Sequence, residues 1–240
     1  MAECIDPMSN DGKSRVTILA ATKMSDGICI AGVDSNNKWF RPIPKGAYNF
    51  SPSLLMSEER IVVAPYNIVE FLKSKRLEKP PHSEDVEVDS STSPKLIGTL
   101  NDVQLHGLMK QIDEHDSIPQ GVLNLENWLV SEKRSLILTR VDEVIDAYRN
   151  NYREDTLDQR RVSFRVGTAV FNLPCPDLRW RSLTRGNRDK EVLVVLKSAK
   201  VLYLALGLSR LLPATGRHHA MVVGVHPIPR LVSVVDYAKP

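Results

Sequence analysis

A mainly β protein with α insertions is the fold class this sequence predicts, on three observations. Residues 16–43 read as three short strands, Arg15–Ala21, Ile28–Val33 and Lys38–Ile43, each rich in β-branched or aromatic residues. The last hundred residues return to the same pattern after a mixed middle. Clear helical spacing is confined to one stretch, from Leu100 to His115.

The breaks in the opening meander are Ser25-Asp26-Gly27 and Asp34-Ser35-Asn36-Asn37, where Gly and Asn accept positive φ and Asp and Ser close local turns. Its third strand ends in Trp39-Phe40-Arg41-Pro42. Trp39 and Arg41 lie two apart and share a face of the strand, and Pro42 removes a ladder donor, which puts that end at an edge or rim. After the irregular residues 44–53, Arg60–Ala64 and Tyr66–Lys73 read as two more strands. That makes about five short strands, the number a small Greek-key barrel of the OB type needs.

Residues 74–98 contain Pro80-Pro81, the acidic run Glu84-Asp85-Val86-Glu87 and a Ser-rich tract. Their composition predicts a long solvent-exposed excursion. Apolar residues at 105, 108, 109 and 112 then mark one helix face, with Asn101 as N-cap and Pro119 beyond its end. Leu123–Val130 reads as a strand or a packed loop, Ser135–Arg140 as a strand, and Asp142–Tyr148 as a helical turn or short helix. Gly167 suits a tight bend between strands at Arg161–Val166 and Thr168–Leu173. Val192–Leu196 is an apolar run that periodicity leaves open between strand and helix. Val201–Leu208 and Ala220–Val225 are strands, and Leu231–Val235 is a candidate to close the sheet.

Composition bounds the function. Of 240 residues 42% are hydrophobic and 25% charged, and the net charge of +3 does not by itself announce a nucleic-acid binder. Three cysteines, Cys4, Cys29 and Cys175, are far apart and form neither a disulfide framework nor a CxxC site, which points to a reducing cytoplasm. No apolar run is long enough to span a bilayer, so no membrane partner is expected. Residues 1–14 read as a loose leader.

Positive charge is concentrated locally. Arg179, Arg181, Arg185, Arg188 and Lys190 surround Trp180 and face one acid, Asp189, within a dozen residues. Phosphate contacts beside a stacking ring need such a composition. Trp39 with Arg41 repeats the pairing, and Arg210 adds to the second half. A tryptophan on a half-buried strand is more often core than platform, and its arginine often pairs with a carboxylate. Asp177, with no second acid at a supporting spacing, is expected to hold Arg179 or a backbone N–H. His218-His219 and His226 lack a partner at metal-ligand spacing, and neither metal nor cofactor is expected. No nucleotide-fold, Walker or nucleophile-elbow pattern occurs, so a non-enzymatic role is expected.

Several stretches, taken in order, resemble the dual OB-containing domain family of prokaryotes. They are residues 19–23, 29–32, Trp39-Phe40-Arg41-Pro42, Glu126-Asn127-Trp128, Asp177-Leu178-Arg179-Trp180-Arg181, 204–210 and 222–227. The resemblance implies two OB-like β-barrels in one chain, at 15–130 and 131–240. It also implies recognition of nucleic acid or a nucleotide in a biological-conflict setting, with Trp39, Arg41, Asp177, Arg179, Trp180, Arg181 and Arg210 as motif positions. The expected ligand-binding set is therefore Trp39, Arg41, Arg179, Trp180, Arg181, Arg185 and Arg210. Its first reading is a binder of single-stranded DNA or RNA. The alternatives are a sensor of a nucleotide-type small anion and a protein-interaction module of a larger defence complex.

Overall fold

Strands β1 (Lys13–Met24), β2 (Gly27–Asp34) and β3 (Trp39–Pro44) form an antiparallel meander, as the spacing of turn residues requires. The structure is a computed structural model that describes residues 12–24, 27–57, 60–77, 79–150, 159–185 and 188–231, with 235 and 237. Of the leader expected at 1–14, residues 1–11 lie outside the described residues, as do part of the first turn and most of the run at 231–235. Lys13 and Ser14 are corrected to strand: they open β1 and pair with the later strand Asn67–Arg76. In the second turn the Asp34 carboxylate accepts from the N–H groups of Asn36 and Lys38, and Asn37 adopts φ 60°.

A short 3₁₀ turn (Pro52–Leu55) leads to a two-residue pairing of β4 (Met56–Ser57) with β5 (Arg60–Ile61). Strands β6 (Asn67–Arg76), β7 (Asp85–Val88) and β8 (Lys95–Thr99) follow. Antiparallel pairing of β1 with β6 and parallel pairing of β3 with β7 close the ring β1-β2-β3-β7-β6, and β8 is added outside β6. The result is the expected five-stranded barrel, filled by residues such as Val16, Ile18, Ile28, Ile30, Phe40, Val69, Phe71, Val86 and Val88.

The fifth strand is not the one expected. Arg60–Ala64 contributes only β5, and the ring is completed by β7, which lies inside the presumed exposed excursion. Its alternation is that of a strand: Val86 and Val88 enter the barrel core while Asp85 points away from it. Both Glu84 and Asp85 are nevertheless buried, because partners from distant parts of the chain cover them.

At Gly32 in β2 the backbones come very close. A Cβ there would lie 2.1 Å from the Thr17 carbonyl oxygen and 2.8 Å from its carbon. Neither backbone atom can move without opening the β1–β2 ladder, so Gly32→Ala should cost about 1–3 kcal/mol, toward the upper end. Urea unfolding reads this as a lowered midpoint, and an unchanged midpoint would refute so close an approach.

Helix α1 (Asp102–Ile112) buries Leu105, Met109 and Ile112, and Asn101 with Gln104 forms a reciprocal capping box. A 3₁₀ turn (His115–Ser117) and α2 (Leu125–Ser131) follow. The run containing Trp128, open between strand and loop by its pattern, is thus helical, started by the Asn124 side chain accepting from Asn127 N–H.

In the second half, β9 (Leu136–Arg140) joins β13 (Val201–Leu208) and β14 (Ala220–Ile228) in one antiparallel sheet. Strands β10 (Glu143–Asn150), β11 (Gln159–Val166) and β12 (Ala169–Pro174) form another. The expectation of a helical turn at Asp142–Tyr148 is corrected: the segment is most of β10, where pairing with β11 overrides a weak local pattern. Gly167 makes the β11–β12 turn at φ 57°, as expected. Helix α3 (Leu178–Leu183) and α4 (Asp189–Ser198) complete the chain, and α4 settles the open run at 192–196 as helix.

The two sheets share one core, with Val162, Phe164 and Phe171 on one side and Leu202, Leu204 and Leu206 on the other. Tyr203 and Ala205, on the opposite face of β13, pack with Leu19 and Ala31 of the barrel and Leu105 of α1. A strand covered on both faces has to be apolar throughout, which is why Val201–Leu208 shows no alternation.

Candidate nucleic-acid interface

Two charged clusters lie where the barrel meets the second half. In the first, Asp85 receives two guanidinium groups: Arg41 Nε lies 2.6 Å from its Oδ1, and Arg210 Nη2 lies 2.6 Å from its Oδ2. Glu84 accepts from Ser135 Oγ and stands 3.3 Å from Arg41 Nη2, without hydrogen-bond alignment. Arg41, Glu84 and Asp85 are buried, whereas the Arg210 side chain keeps 39% of its surface exposed. His82 is buried beside this cluster with neither ring nitrogen partnered. Burial and the charges of Arg41, Arg210 and His218 push its pKa down to about 2, so its imidazole is neutral.

Arg41 and Arg210 of this cluster line a cleft. Ala20, Thr22, Cys29, Ala31 and Ile43 line it from the outer side of β1, β2 and β3, since Ile28, Ile30 and Phe40 point into the barrel. Leu136, Gly207 and Val223 line it from the opposing sheet. Its empty volume is about 610 Å³ counted out to the mouth, where Tyr48 on the loop after β3 is 73% exposed.

The second cluster belongs to the Asp-Leu-Arg-Trp-Arg motif. Asp177 caps α3, accepting from Arg179 N–H at 2.7 Å and Trp180 N–H at 3.3 Å, and its other oxygen accepts from Val225 N–H at 2.8 Å. The expectation that it holds a backbone N–H is met three times. Burial drives its carboxyl upward, against the pull of the Arg179 guanidinium and these N–H groups. The Arg179 guanidinium lies 4.5 Å over the Tyr66 ring and donates to the Val225 carbonyl. His226 Nδ1 lies 3.2 Å from Tyr66 Oη and 3.4 Å from Arg179 Nη2. Burial, then Arg179, holds His226 well below the ordinary histidine pKa.

The expected ligand-binding set is therefore divided. Arg41 and Arg210 meet at Asp85. Arg179 is buried in the second cluster, and Trp180 is core, only 1% exposed, so its indole presents no open face for stacking. Trp39 is half-buried against the core between the halves. Arg181 is half-buried at the end of α3, and Arg185 is exposed beyond it. An accessible wall of tryptophan and arginine is thus replaced by two mostly buried polar clusters and a cleft.

Tyr48 escaped the sequence reading because a lone aromatic in a Gly-Ala-Tyr-Asn turn has no periodicity to mark it. Asp85 escaped because its partners stand 44 and 125 residues away. Among the described residues no group of three or more His, Cys, Asp or Glu is placed to hold a metal ion, and no helix is long and apolar enough to cross a membrane.

A search of curated proteins finds no match. Among solved structures, the Ifi202 HINa domain in complex with 20 bp dsDNA is similar at 11% identity and a TM-score of 0.34, over 88% of this chain and 91% of that one. So distant a similarity does not bear on what this chain binds. The family profile described as the dual OB-containing domain matches residues 14–225, and with a closed five-stranded barrel in the first half and this span matched, the chain belongs to the dual OB-containing domain family.

Proposed function

We propose that this chain is a non-catalytic module that binds nucleic acid in single-stranded form, at the cleft mouth between Tyr48 and Arg210. The observation that carries the reading is that an exposed aromatic ring, Tyr48, and a half-exposed guanidinium, Arg210, line one cleft. Barrels of this build take oligonucleotides on the outer face of their second and third strands and the adjoining loops. Here β2 and β3 present that face to the cleft. An unpaired strand offers free base faces to Tyr48 and phosphates to Arg210, whereas a duplex keeps its bases stacked inside.

Anisotropy of a labelled oligothymidylate at low salt tests this directly. Tyr48→Ala, an exposed site whose loss leaves the fold intact, should weaken binding roughly 5- to 150-fold, from about 1–3 kcal/mol for one stacked base. Arg210→Gln should reduce the slope of log K against log salt by about 0.7, the value for one phosphate contact on a single strand. Absence of any anisotropy change at micromolar protein and low salt would overturn the proposal.

A further inference from the structure

We infer that the cleft behind Tyr48 and Arg210 is a pocket for one unstacked pyrimidine base, inserted with its sugar and phosphate left at the mouth. The inference rests on the nucleic-acid reading and narrows it to one ligand group.

Charge decides first. Arg41 and Arg210 are balanced by Glu84 and Asp85, two guanidinium groups against two carboxylates. A phosphate drawn inside would add uncompensated negative charge next to buried carboxylates, a costly arrangement. A neutral guest adds none. The base is the neutral part of a nucleotide, and the phosphate stays where Arg210 reaches solvent.

The walls agree. Ala20 and Ala31 are cross-strand partners on β1 and β2, and their small side chains leave an apolar slot faced by Leu136 and Val223. The charged part of the lining is Arg41, whose side chain is 6% exposed, with Arg210 beside it. Asp85 fixes this guanidinium through Nε, and its Nη2 faces Glu84 at 3.3 Å.

Size selects one ring over two. The space open to the centres of water-sized molecules is about 70 Å³. At roughly 10–15 Å³ per water that is about five to seven waters, closer to the bulk of a single substituted ring than of a fused pair.

Cys29 supplies the readout, because this half-buried residue lines the cleft, while Cys175 is buried and serves as an internal reference. Burial raises the Cys29 pKa, so alkylation by iodoacetamide is followed at alkaline pH by peptide mass spectrometry. Thymidine at ten times its Kd should slow Cys29 alkylation roughly tenfold, since only the unliganded fraction reacts. Oligothymidylate should do the same, and adenosine and inorganic phosphate should leave the rate unchanged. Protection by phosphate, or by adenosine as strongly as by thymidine, would overturn the inference. So would an oligonucleotide that binds by anisotropy yet leaves Cys29 fully reactive, a result that spares the proposed function. Thymidine protection without oligonucleotide binding would uphold the pocket and overturn the strand reading.

Discussion

Asp85→Ala should lower the stability of the protein by about 3–5 kcal/mol, the loss seen when one partner of a buried ion pair is removed. Asp85 is 1% exposed and is held by two arginines at the same 2.6 Å. Equal distances do not make equal contributions. Arg41 is only 5% exposed and is left, once its carboxylate is gone, with only the misaligned Glu84 nearby. Arg210 is 39% exposed and can hydrate, so Arg210→Ala should cost no more than about 1 kcal/mol. Urea unfolding of both variants makes the comparison. An Asp85→Ala loss below about 1 kcal/mol would mean that Arg41 reaches solvent or another acid in the native state. The energetic asymmetry also fits a division of labour in which Arg41 is a fixed structural group and Arg210 the adjustable, solvent-facing one.

The same aspartate shows where sequence reasoning runs out. Strands β1, β2 and β3 were legible because each is a local pattern ended by local turn chemistry, and α1 because its apolar positions recur at helical spacing behind Asn101. Strand β7 was not legible. Glu84-Asp85-Val86-Glu87 carries a period-two signal in Val86 and Val88, but acids beside a Pro-Pro pair are ordinarily solvated. Only the arrival of Arg41 and Arg210 from remote segments makes their burial tolerable. The site divides in the same way. Asp177 could be read as a holder of backbone N–H because capping is local. That Trp180 faces the core could not be read, since the motif is equally basic whichever way the helix turns. Strand β10 shows the converse error: a segment with helical character is claimed by its neighbour β11 through ladder bonds that no local window contains.

Stability should peak near pH 6.5 and fall steeply below it. His82 and His226 are both held neutral by burial and by neighbouring arginines, His82 down to about 2 and His226 well below its ordinary value. In the unfolded chain both imidazoles protonate near pH 6.5. A depressed native pKa contributes nothing above that value. As pH falls below it, the unfolded state takes up a proton that the native state refuses, and stability drops by about 1.4 kcal/mol per pH unit for each histidine. At pH 5 His82 accounts for roughly 2 kcal/mol, and His226 adds to it with the same sign.

His115 acts with the opposite sign. Hydrogen bonds to Asp116 and Asp142 raise its pKa, so its contribution is complete below about pH 6.5 and is lost as pH rises through the native value. The gain from His115 and the losses from His82 and His226 therefore occupy different windows, on opposite sides of the maximum. Urea unfolding at intervals from pH 8 to pH 5 resolves them: the acid limb should correspond to two protons bound on unfolding, and His82→Asn should reduce it to one. A limb of less than one proton in the wild type would show that water reaches these imidazoles in the native state, and that the junction between barrel and sheet is looser than its packing implies.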